Sequence, residues 1–237
     1  MITFQKILHS GWRRWVTFSL LGAISLLTAG AVYGQSTSSA PTDRGLFWKI
    51  EKDGKTSYLL GTVHVWKPEW FPLNPAIEKA FAEAKTLAVE ADAAKVDMAA
   101  AVQRMMLPGS ETLEGRLNRS LYERTMAETA RLSVPEAAVS KMKPWGVMLI
   151  LAATKLQQLG FTPDAGIDGY LIRKANGSGK WVIELESGEQ QLAVLDSLSA
   201  TLQMAMLEEF LTSIERTPQV VDGVIASWKK GDADAFF

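Results

Sequence analysis

Between residues 56 and 90 the sequence reads strand, helix, strand. "TSYLLGTV" is apolar or small along most of its length. A loop with Pro68, Trp70, Phe71 and Pro72 follows, and then Asn74-Pro75. Asparagine is a strong helix N-cap, and proline suits the first helical position. Ile77, Ala80, Phe81 and Ala84 recur at helical spacing. "TLAV" is the second strand, ending at Glu90. A crossover of this kind is almost always right-handed and makes its strands parallel. Both strands therefore end at the same edge, the edge where open α/β sheets bind ligands. His64 closes the first strand and Glu90 the second, so the two are predicted neighbours.

The run before it, residues 46–51, also alternates. Asp53-Gly54 between the two runs is hairpin chemistry, because both residues tolerate positive φ. Beyond Glu90 the pattern is mainly helical. Helices are predicted over residues 96–106, 121–132, 145–159, 167–175, 190–195, 201–214 and 218–229. Ser133 and Glu136 have the spacing of a capping box, and Gly160 stops the helix before it. Residues 181–185 read as a third strand, which brings Glu184 or Glu186 to the same edge. Met105, Met106, Met142 and Met148 read as core filler. The expected fold class is α+β, with one mixed sheet, an N-terminal hairpin and many surrounding helices.

The first 34 residues read as an export signal. Lys6, Arg13 and Arg14 precede an uncharged apolar run over residues 15–32, with small-residue cleavage frames after Ala31 or Gly34. The competing reading is an uncleaved anchor, since the run is long enough to span a bilayer. Membrane association is expected only in that case. Residues 35–43 are a polar tether, and residues 44–237 form one domain. The expected location is periplasmic or secreted. Losing the signal's three cations takes the net charge from −1 to −4, and nothing points to nucleic acid.

The chain has no cysteine and two histidines, His9 and His64. Disulfides, thiolate metal sites and cysteine nucleophiles are excluded. No Gly-x-Ser-x-Gly occurs, so serine hydrolases are disfavoured. Gly177-Ser178-Gly179 lacks the ending of a phosphate loop. Paired carboxylates among Glu90, Glu184 and Glu186 allow acid–base chemistry of the glycosidase kind, but the sugar-stacking aromatics are not evident. An imidazole beside carboxylates suits a divalent transition ion. Against that stands a histidine that makes only a structural hydrogen bond.

"GLFWKIEKDGKTSYLLGTVHV", "LAVEAD", "MMLPGSETLEGRL", "GIDGYLIRKA" and "VIELESGEQQLAVLDSLS" together resemble the TraB/GumN family, which also includes the Tiki proteins. The resemblance runs from Gly45 nearly to the end. It implies an α+β fold similar to erythromycin esterase and the haem-associated ChaN proteins. It also implies a metal-dependent hydrolase acting on peptide bonds in a peptide or protein substrate, with Mn, Co or Zn as cofactor. Carried over, Gly61-Thr62-Val63-His64 is the first of two Gly-x-x-His motifs, and His64 is a metal ligand. In that scheme Glu90 is either a metal ligand or the general base, while Gly61, Thr62, Asp168 and Glu186 support the site. The second Gly-x-x-His is missing from this sequence. The expectation is a C-terminally truncated form, whether fragment, natural truncation or half of a site shared by two chains, that is inactive or weakly active. The alternative from another class is a non-catalytic periplasmic protein that binds haem or a metal.

Overall fold

The computed structural model describes residues 43–236. The expected signal, and the tether except Asp43, lie outside the described residues. The chain opens on a hairpin of β1 (Leu46–Lys52) and β2 (Lys55–Gly61), with Trp48 opposite Leu59. Asp53 and Gly54 at its tip both take positive φ, 51° and 71°, as the two-residue turn requires. β2 stops at Gly61, short of the expected Val63. The Gly61 carbonyl accepts a bond from the indole of Trp228 at 2.6 Å, and the Val63 carbonyl accepts one from the Ile167 amide at 3.0 Å. The carbonyls at and just beyond the end of β2 are thus taken by groups on helices.

Helix α1 (Pro75–Glu83) starts as predicted, with Asn74 Oδ1 accepting from the Ala76 amide at 2.8 Å. Its Ile77, Ala80 and Phe81 are buried. Strand β3 (Thr86–Val89) follows. Then come α2 (Met98–Met105), α3 (Leu113–Arg116), α4 (Arg119–Arg131), α5 (Glu136–Val139) and α6 (Pro144–Gln158). Helix α7 (Ile167–Gly177) leads into β4 (Trp181–Glu184). The described chain closes with α8 (Gly188–Ser197), α9 (Ala200–Ser213), α10 (Thr217–Lys230) and α11 (Ala233–Phe236). The architecture is α+β, as the sequence predicts. No helix among the described residues is long and apolar enough to cross a membrane.

The core is built around α6. Trp145, Val147, Met148 and Leu151 have no exposed surface, and Leu149 has 1%. A helix apolar on every side has to sit inside the protein, and α6 packs against α9. Met105, Met142 and Met148 are buried with it, in keeping with their role as filler.

Two expectations need correction. The single mixed sheet is not formed. The described strands make two separate two-stranded sheets, the β1–β2 hairpin and a parallel β3–β4 pair with Thr86 opposite Trp181. A crossover fixes the direction and hand of its strands, not their adjacency, and here a groove separates β2 from β3. The capping box at Ser133 is also absent. Ser133 sits at φ 59° and closes α4 instead: its amide donates to the Ala130 carbonyl, and that of Val134 to Thr129. The next helix starts from Pro135 with no side-chain cap. A reciprocal box does occur at Ser187 and Gln190, where α8 begins.

Candidate functional site at the carboxyl ends of β2 and β3

Past Gly61 the chain is pinned to the start of α7. Val63 and Val65 are buried, while Thr62 and His64 remain partly open. Ile167 donates its amide to the Val63 carbonyl, and Trp66 bridges to Thr162. This docks Thr62 and His64 beside the first turn of α7, which carries Asp168. An acid in the first turn is favoured by the helix dipole. The Thr62 hydroxyl donates to Asp168 Oδ1 at 2.8 Å. His64 Nδ1 lies 3.0 Å from Asp168 Oδ2. That oxygen is buried and, among the described residues, has no hydrogen-bond partner other than the ring, so it faces the imidazole alone.

Glu90 stands on the other side of the ring. Its Oε2 is 4.0 Å from His64 Nε2, and its side chain is 64% exposed. His64 is therefore held between a sheltered carboxylate and an open one. Burial is the largest influence on its imidazole and pulls the pKa down. The contact with Asp168 and the charges of Asp168 and Glu90 outweigh it, leaving the pKa above its ordinary 6.5. Burial likewise pushes Asp168 up, but His64 and the Thr62 hydroxyl together hold it below its usual 3.8.

The sequence-predicted residues separate on this geometry. His64, Glu90, Asp168 and Thr62 come together. Glu186 does not join them, although it lines the same groove. Its amide donates to the Glu90 carbonyl at 2.9 Å, while its carboxylate accepts from Gln191 at 3.0 Å. Glu184 faces Lys95 and the Asp92 amide instead. Gly61 has a packing role: a Cβ there would sit 3.1 Å from that of Leu46 across the hairpin. Sequence reasoning missed Trp228, because nothing in its helix marks the indole as the partner of Gly61.

A model of the TraB/PrgY/gumN family matches residues 46–236. The chain belongs to this family. Two curated relatives, both carrying the name "Uncharacterized protein YbaP", come from Shigella flexneri and Escherichia coli K12. Each is 29% identical, over 172 and 171 residues, or 73% and 72% of this chain. The match covers 63% of the length of each relative. No solved structure matches.

In this TraB/PrgY/gumN chain the donor set fits a metal only in part. His64 Nε2 and the Glu90 carboxylate face the groove, and Asp168 stands behind the ring in the way that orients imidazole ligands. Catalytic zinc sites usually have three protein ligands. Among the described residues no group of three His, Cys, Asp or Glu side chains is placed to hold an ion.

Proposed function

We propose that this TraB/PrgY/gumN domain contributes His64 and Glu90 to a metal-dependent hydrolase site that acts on peptide bonds outside the cytoplasm. The observation that carries the reading is the bracketing of His64 by Asp168 at 3.0 Å and Glu90 at 4.0 Å. Asp168, steadied by Thr62, favours the tautomer with the proton on Nδ1 and turns the Nε2 lone pair toward the groove. Glu90, open to solvent and 4.0 Å from Nε2, would serve as the base that takes a proton from a water beside that nitrogen. A bound divalent ion supplies the remaining chemistry, polarising the carbonyl and acidifying its water. Mn²⁺, Co²⁺ and Zn²⁺ suit this mixed nitrogen and oxygen set.

Two donors are too few for tight binding. Calorimetric titration of the 237-residue protein with Zn²⁺ or Mn²⁺ is expected to show weak binding that His64→Ala abolishes. Hydrolysis of a mixed peptide library is expected to be low and reduced further by Glu90→Gln. Tight stoichiometric binding that survives His64→Ala would sink the reading. The second reading is a non-catalytic binding protein for haem or a metal. It is favoured by the scarcity of ligands around His64. It predicts no hydrolysis and an affinity indifferent to Glu90→Gln.

A further inference from the structure

The groove between β2 and β3, about 1770 Å³ in volume, is bordered by consecutive residues on both sides, 54–62 and 83–90. A sheet face would present every second residue to a groove, whereas an edge presents all of them. β2 pairs only with β1, and β3 only with β4, so each keeps an open edge among the described residues. The floor includes the apolar Phe81 and Leu171. The charges are polarised along it. Lys55, Lys85 and Lys180 stand where the strands begin, with Glu83 as the one acid there, while Glu90 and Asp168 flank His64 where they end and Glu186 lines the same groove beyond them.

We infer that this groove takes an extended peptide from another protein, which adds to the open edge of β2 as a third antiparallel strand. Its amino end lies at His64 and Glu90, and its acidic or carboxyl end lies toward Lys55 and Lys85. Open backbone donors and acceptors select an extended main chain. The apolar floor selects alternate apolar side chains, and the two charged ends select the direction. Binding needs no chemistry at His64, so the inference goes beyond the hydrolase reading and stands apart from it.

The test is fluorescence anisotropy with the 237-residue protein in EDTA. The probe is an eight-residue peptide of alternating threonine and valine, with lysine first, glutamate last and a carboxyl-side dye. Saturable binding is expected. N-methylation of the alternate amides of one register should weaken it at least tenfold, and so should exchanging the terminal lysine and glutamate. The double variant Lys55→Glu/Lys85→Glu should weaken the first peptide and favour the exchanged one. No saturable binding, or equal binding of both N-methylated registers, overturns the inference. So does a concentration-dependent dimer in sedimentation that the peptide cannot displace, since the groove then belongs to a second copy. The N-methylated peptides keep the test valid should the variants fail to fold. Register-specific binding, with no Glu90-dependent hydrolysis of the mixed peptide library in Mn²⁺, would refute the hydrolase reading alone. Cleavage without register dependence would refute the strand inference alone.

Discussion

At the scale of single residues, His64 is a partly open imidazole held between two carboxylates. Its folded pKa is raised, so its contribution to stability is complete below pH 6.5 and vanishes as the pH rises through the folded value. That of Asp168 is lowered, so its share is present above 3.8 and vanishes as the pH falls through the lower folded value. The pair is at full strength from about pH 4 to about pH 6.5. In metal-free NMR titrations the His64 ring, assigned by comparison with His64→Ala, should have its midpoint above 6.5. In Asp168→Asn burial is opposed only by the exposed Glu90, and the midpoint should drop. A midpoint unmoved by Asp168→Asn would show that the 3.0 Å contact does not hold in solution. The closeness of His64 and Glu90 was legible in the sequence, because both follow strands joined by one crossover. Asp168 was not legible by spacing. It lies over a hundred residues away, and only the family resemblance brought it in.

At the scale of elements, the local signals that survive are those with a backbone consequence. Asp53-Gly54, Asn74-Pro75 and Gly160 each fix a turn or a helix end where the sequence places one. Ser133 failed because one residue can close the helix behind it or open the one ahead, and the left-handed geometry at Ser133 serves the first. Closer packing marks the start of α8. A Cβ on Gly188 would lie 2.3 Å from Val96 Cγ2, and a β-branched side chain has little freedom to yield. Gly188→Ala should therefore cost roughly 1–3 kcal/mol, as overpacking does. Urea denaturation would measure it. Restoration in Gly188→Ala/Val96→Ala would assign the loss to that clash rather than to the helix start.

At the scale of the whole molecule, the divided sheet is the feature the sequence did not disclose. Periodicity identifies strands but not which edges meet, and the groove records a separation that no local pattern encodes. Trp228 secures the end of β2. It is fully buried, stacks edge-on against Trp66 at 5.0 Å, and donates to Gly61 at 2.6 Å. Trp228→Phe keeps an aromatic ring but leaves the Gly61 carbonyl without that donor. It should lower stability by about 1–3 kcal/mol, read as an earlier denaturation midpoint. An unchanged midpoint would mean that water takes the indole's place.

The same bond sets a schedule. The indole and the Gly61 carbonyl are 167 residues apart in sequence, and the Thr62 hydroxyl and Asp168 are 106 apart. At roughly 5–20 residues per second of synthesis, His64 leaves the ribosome about 10–30 s before Trp228 is made. Within that interval α7 is made first, and the helix carrying Trp228 completes the pair that holds the end of the hairpin only at its close. The imidazole acquires its neighbours in order, first Glu90, then Asp168, and last the helix that anchors the strand beneath it.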